Sequence, residues 1–229
     1  MNEKFYVNGS EKVKYEYTKL CENISRLTVS NLPKNNQKIA VKSDIFNYNK
    51  TENGFYLLPD TPVKGGAKVY FTDKKDCEYT IDAVQIPSFG ISAETSYFVI
   101  SRGMPGSMKI ITGVKDGNFY IYPEFEPDGH GFYENIVIDI LKLPPHCTAS
   151  DMANAYRDYQ IKFSGFVPIS EREKDNPVLS GLANSIEVRI RMGWKPVPSP
   201  VEEQTEENEP EMFVACTFDR VRELLSEMK

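Results

Sequence analysis

The chain has 229 residues, 40% of them hydrophobic and 26% charged, which is the composition of an ordinary globular protein of one large or two small domains. A net charge of −6 and a pI near 5.2 argue against a nucleic-acid partner or an anionic membrane surface, both of which call for a basic footprint. With only two histidines, His130 and His146, and no Cys-x-x-Cys among four cysteines, no His-rich zinc site can be built and no metal or cofactor is expected.

The start, Met1-Asn2-Glu3-Lys4-Phe5-Tyr6, has no basic region followed by an apolar run, and no stretch has the roughly 18 apolar residues of a membrane span. The expectation is a soluble chain, cytoplasmic as written, or extracellular if a signal has been removed. Cys21, Cys77, Cys147 and Cys216 read as reduced, mostly buried small hydrophobes.

Residues 1–147 read as a β-sandwich domain. Thirteen tyrosines and thirteen phenylalanines suit pleated, half-buried surfaces. Short strands are expected at 25–30, 37–41, 54–58, 68–72, 79–85, 97–101, 107–114, 118–125 and 133–143, separated by Gly, Pro, Asn and Asp. Asp116-Gly117 supplies the two positive-φ positions of a type I′ hairpin turn. Beyond it, Phe119, Ile121 and Phe125 share one face, and Tyr120, Tyr122 and Glu124 the other. In 133–143 both faces carry apolar groups, so this strand is expected to be covered on two sides.

After Pro144-Pro145 the period changes. Thr148 and Asp151 form a capping-box pattern. Met152, Ala155, Tyr156, Tyr159 and Phe163 then make one apolar stripe on a helix over 149–163, ending at Gly165. Asn176-Pro177 opens another helix carrying Val178, Leu179, Leu182 and Ala183. Residues 148–187 are read as a helical connector packed on the sandwich. A strand is expected at 187–192, followed by a Pro-rich run and an acidic loop over 201–210. A last strand at 211–216 then leads into a helix at 218–229 capped by Thr217. Strand followed at once by helix is the opening of a β/α unit, so 188–229 is read as the start of a barrel-like α/β domain, cut short. The alternative is a free-standing module whose last strand and helix join the sandwich. The fold class is mainly β: a large two-sheet (super)sandwich, a few helices in the C-terminal third, and a terminal β/α unit.

Several segments resemble one family. Leu57-Leu58-Pro59-Asp60, Gln85-Ile86-Pro87-Ser88-Phe89-Gly90-Ile91, Asp151-Met152-Ala153-Asn154-Ala155-Tyr156-Arg157-Asp158-Tyr159 and Arg189-Ile190-Arg191-Met192-Gly193-Trp194-Lys195-Pro196 follow in that order. Together they resemble the N-terminal part of a largely uncharacterised bacterial glycoside-hydrolase-like family akin to α-N-acetylgalactosaminidases. The resemblance covers about residues 54–229. It implies a galactose-mutarotase-like β-supersandwich followed by a (β/α)8 barrel in which catalysis would occur. Where the family pattern has a compact Asp-Gly-Ser-Gly after Leu-Pro, this chain has Asp60-Thr61-Pro62-Val63-Lys64-Gly65-Gly66.

Glycoside hydrolysis needs two carboxyls at a set separation, placed in a barrel on the ends of several strands. This stretch offers at most the first one or two, so no catalytic residue is assigned. The resemblance makes the chain a non-catalytic portion of a carbohydrate-active protein, with a missing C-terminal barrel as its partner and a carbohydrate as its ligand. The alternatives are a free-standing carbohydrate-binding or scaffold module, or a mutarotase-like epimerase.

Two clusters are candidates for sugar contact. Glu124 and Glu126, with Asp128 and His130, gather near a turn; a solvated hairpin loop is the favoured alternative. Arg189, Arg191, Trp194 and Lys195 combine an aromatic platform with polar forks; an interdomain joint, with the arginines paired to Glu202, Glu203 or Glu206, is the favoured alternative, and the two are compatible. Gly103-Met104-Pro105-Gly106-Ser107 lacks the ending of a phosphate loop, no spacing matches a calcium loop, and no serine sits in a nucleophile-elbow context. The tyrosine-rich stretches read as core.

Overall fold

A computed structural model describes residues 4–8, 13–35, 37–49, 53–59, 67–72, 75–82, 84, 86–127, 129, 131–185, 190–194, 205–208 and 211–228. Two compact units divide at Phe166 and Val167.

The first unit is a mainly β sandwich. Its strands are β1 (Phe5–Val7), β2 (Lys14–Cys21), β3 (Ile24–Ser30), β4 (Ile39–Ser43), β5 (Asn47–Asn49), β6 (Phe55–Leu58) and β7 (Ala67–Tyr70). Then come β8 (Cys77–Ile81), β9 (Ser88–Ser92), β10 (Ser96–Ser101), β11 (Met108–Lys115), β12 (Asn118–Phe125) and β13 (Ile136–Leu143). Among the described residues one sheet has the order β1-β4-β12-β11-β8, with β5 also on β12, and the other β2-β3-β13-β10-β9-β6-β7. Every pairing is antiparallel.

The strand period decides what each sheet buries. Ile39, Val41, Phe119, Ile121 and Phe125 from the first sheet meet Leu27, Val29, Phe89, Ile91, Val99, Ile136, Ile138 and Ile140 from the second in one core. Phe46, on a 3-10 turn between β4 and β5, packs edge-on against Phe89 with ring centroids 5.6 Å apart. The β11–β12 hairpin closes as expected: Asp116 and Gly117 have φ of 52° and 75°, and Lys115 pairs with Asn118 across the two-residue turn.

Helix α1 (Ala149–Phe163) covers the far face of the seven-stranded sheet. The capping box forms as the sequence predicts. Thr148 accepts from the Asp151 N–H through its side chain, and the Asp151 carboxylate accepts from the Thr148 N–H at 2.8 Å. Gly165 has φ 67°, and the Phe166 N–H turns back to the Gln160 carbonyl at 3.1 Å. Met152 and Tyr159 are buried against Phe98, Ile100, Leu141 and Cys147, with Ala155, Tyr156 and Phe163 beside them. The 133–143 segment is thus covered on both faces over Ile136–Leu141, while Lys142 is exposed and Tyr133 lies ahead of the strand and is exposed.

Four strands carry no clear sequence signal. β1 and β5 have three residues each. β2 is largely exposed on both faces, as an edge strand can be. β9 is buried throughout, but only Phe89 and Ile91 of its five residues are large and apolar.

The second unit contains α2 (Ile169–Arg172), α3 (Pro177–Ala183), β14 (Gly193–Trp194), β15 (Phe213–Val214) and α4 (Phe218–Glu227). Asn176 caps α3 through Oδ1 and Thr217 caps α4 through Oγ1, as their sequence positions predict. The strand expected at 187–192 is corrected: residues 190–192 are irregular and 187–189 lie outside the described residues. The paired residues are instead Gly193 and Trp194, antiparallel to Val214 and Phe213. Gly193 permits this because a Cβ there would stand 2.7 Å from the Phe213 carbonyl oxygen.

Candidate functional site

Glu124 and Glu126, from the first predicted cluster, do stand together near the end of β12. They are engaged by lysines. Lys38 Nζ lies 3.6 Å from Glu124 and 3.3 Å from Glu126, while Lys109 Nζ lies 2.6 Å from Glu126 and 2.9 Å from Asp82. Lys109 above all, and then Lys38, hold the Glu126 carboxyl below its ordinary range, and the same contacts raise the Lys109 ammonium. Both carboxylates thus stand in ion pairs with lysines. Asp128 and His130 lie outside the described residues.

In the second cluster, the Arg191 guanidinium sits over the Trp194 ring at 5.3 Å, and Trp194 packs against Phe213 at 4.5 Å between centroids. Trp194 is 43% exposed, too open for a core anchor. Arg189, Lys195, Glu202 and Glu203 lie outside the described residues, so of this cluster the structure brings together Arg191 and Trp194.

The sequence reading missed a third group, on the outer face of the six-stranded sheet. Glu78, Gly113 and Tyr120 stand in one row across β8, β11 and β12. A Cβ on Gly113 would lie 2.6 Å from the Tyr120 hydroxyl oxygen and 2.8 Å from ring atom Cζ. Tyr120 therefore lies across the space the glycine leaves, and its hydroxyl donates to Glu78 at 2.7 Å. Tyr122 runs nearly parallel to it, with centroids 6.1 Å apart and 20° between planes, and Lys42 Nζ caps the Tyr122 ring at 4.4 Å. Burial first, and then the Glu78 carboxylate, raise the Tyr120 hydroxyl well above its ordinary value. Both rings belong to the outer surface, which corrects the reading of these tyrosines as core. The available signal was the Tyr-x-Tyr on the polar face of β12 opposite a glycine inside a paired strand.

This row borders a groove of about 450 Å³ lined by Lys42, Asn47, Glu78, Lys115, Asn118 and Tyr120, among others. A second groove of about 510 Å³ shares Lys42 and Tyr122 and runs on to Tyr6, Tyr15 and Glu124. Among the described residues no group of three or more His, Cys, Asp or Glu side chains is placed to hold a metal ion. No helix among them is long and apolar enough to cross a membrane.

No protein-family model matches the sequence, and no curated protein matches it. Solved structures do. A quadruple mutant of the alpha-N-acetylgalactosaminidase NagBb from Bifidobacterium bifidum matches with TM-score 0.65 at 12% identity, over 99% of this chain and 41% of that one. The complex of the same enzyme with Gal-NHAc-DNJ gives TM-score 0.62 at 12% identity, over 99% and 41%. The GalNAc complex gives 0.58 at 14% identity, over 96% and 42%. The chain therefore spans about two fifths of these glycosidase chains, and at this identity it shares with that portion a fold.

Proposed function

We propose that the chain is the non-catalytic β-sandwich portion of a glycoside-hydrolase-like, carbohydrate-active protein, whose chemistry is performed by an α/β barrel beyond these residues. The observation that carries the reading is the likeness over 99% of this chain to 41% of a glycosidase chain. Electrostatics supports it. Glu126, offered by the sequence as a sugar-contacting carboxylate, is held ionised by Lys109 and Lys38, so it suits a structural ion pair better than proton transfer. In this reading Phe213–Val214 leading into α4 is the opening strand and helix of the barrel, and the exposed Phe213, Val214 and Phe218 are positions the barrel covers.

The test is turnover. Purified chain, incubated at high concentration with a panel of aryl α- and β-glycosides including the N-acetylgalactosaminide, is expected to release no aglycone above background. Steady release that scales with enzyme and survives repurification would overturn the assignment.

A further inference from the structure

The outer face of the six-stranded sheet has features that packing alone does not require. Gly113 sits inside β11, paired on both sides, where a glycine weakens a strand relative to alanine. What it makes possible is the placement of Tyr120 across the sheet with its hydroxyl already satisfied by Glu78. Tyr122 adds a second, nearly parallel ring, and Lys42, Asn47, Asn118, Lys115 and Glu78 border the groove beside them. A fixed aromatic surface with a few convergent donors and acceptors is how a rigid, hydroxylated, partly apolar ring is recognised.

Charge narrows the class. Lys42 and Lys115 on the first groove are matched by Glu78 and Asp116, and Lys42 on the second by Glu124. With signs balanced, neither a polyanion nor a cation is favoured. Two adjoining grooves that share Lys42 and Tyr122 offer length for more than one ring, and each lies within the usual ~300–1,000 Å³ of ligand sites.

We propose that this face is a binding site for a neutral oligosaccharide, its rings lying against Tyr120 and the part of Tyr122 that Lys42 leaves open, and its hydroxyls exchanging hydrogen bonds with Lys42, Glu78, Asn47 and Asn118. The choice of ligand class rests on the carbohydrate-associated reading above, while the site itself rests on the geometry of this sheet. Because Tyr120 is anchored before any ligand arrives, little side-chain ordering opposes binding.

The full chain is applied to a glycan array of neutral and acidic oligosaccharides, and the strongest neutral binder is titrated by calorimetry. Tyr122→Ala is expected to weaken that binding by about tenfold or more, the equivalent of one ring contact. Tyr120→Phe, which keeps the ring and frees it from Glu78, is expected to weaken it less. Tyr133→Ala, an exposed tyrosine ahead of β13, is expected to leave it unchanged. Unchanged melting temperatures certify each fold. No neutral binder, binders that are all acidic, or a neutral binder indifferent to Tyr122→Ala would each overturn the proposal. Those results leave the non-catalytic assignment standing, and turnover of aryl glycosides would overturn that assignment without touching this titration.

Discussion

Arg26 and Asp139 meet in a two-pronged ion pair, Nε to Oδ1 at 2.7 Å and Nη2 to Oδ2 at 2.8 Å, on neighbouring strands β3 and β13 beneath helix α1. Asp139 is fully buried and also accepts from the Tyr159 hydroxyl, so one carboxylate ties two strands to the helix. Arg26→Met leaves that buried carboxylate with Tyr159 alone, and is expected to cost about 3–5 kcal/mol in urea unfolding. Asp139→Asn is expected to cost less, because the Arg26 side chain is 32% exposed and stays partly hydrated. Equal losses for the two variants would refute this ordering.

The same triad sets an alkaline limit. Burial, and then the hydrogen bond to Asp139, raise the Tyr159 hydroxyl above its ordinary value; burial likewise raises Tyr120 and Tyr122. For a group raised on folding, the native state holds its proton more tightly than the unfolded chain. Its contribution is complete below the unfolded pKa of about 10 and falls away as pH climbs through the folded value. Stability should therefore decline above about pH 10, and Tyr159→Phe should show a shallower decline from a lower starting point.

At the acid end, the backbone N–H of Thr148 first, and then its hydroxyl, hold the Asp151 carboxyl below its ordinary range. A depressed carboxyl stabilises the fold above its unfolded pKa of about 3.9 and ceases to do so as pH falls through the lower folded value. Asp151→Asn should remove that part of the acid dependence. Thr148→Ala should cost about 1 kcal/mol at neutral pH. Helix content and urea midpoints measured from pH 2 to 7 check both.

Gly90 is where the helix touches the sheet. A Cβ there would stand 2.3 Å from the Met152 sulfur, and Met152 is fully buried. Gly90→Ala is expected to cost about 1–3 kcal/mol by overpacking. Combined with Met152→Ala, which opens the space, its added cost should shrink towards zero, a coupling that a double-mutant cycle reads directly. Strict additivity would show that the two sites do not meet.

Limited proteolysis should release a resistant fragment ending close to Phe166, where the two units divide. Beyond it, Val178, Leu182 and Phe218 are 78%, 65% and 82% exposed, and α3 and α4 bury no side chain among the described residues, so cleavage is expected there first. Cuts distributed evenly along 13–228 would contradict this.

The sequence made the hairpin at Asp116-Gly117, the capping box at Thr148 and the apolar stripe of α1 legible, because each is set by residues a few positions apart. It concealed β9 and the outer-face platform for a different reason. In Ser88–Ser92 only Phe89 and Ile91 are large and apolar, and the second buried face is made of Ser88, Gly90 and Ser92, so the segment is too short and too small in side chains to stand out as a strand. Tyr120 acquires its meaning from Gly113 and Glu78, residues 7 and 42 positions away that only sheet register brings beside it. Glu124 and Glu126 were singled out correctly as neighbours, but their pairing with Lys38 depends on β4 lying beside β12, a contact across more than eighty residues.

Strand β13 has a consequence for how the chain acquires its shape. Among the described residues the seven-stranded sheet is β2-β3 on one side and β10-β9-β6-β7 on the other, and β13 joins the two groups. Until residues 136–143 leave the ribosome, both groups carry an unpaired inner edge and an uncovered apolar face. Their closure then waits on a segment separated from β3 by about a hundred residues, the kind of distant pairing that slows folding and leaves nascent chains open to mispairing. Asp139 is the buried charged residue of that strand. In a shifted register it would lie in the sheet without its arginine, so Arg26→Met is expected to slow refolding as well as to lower stability.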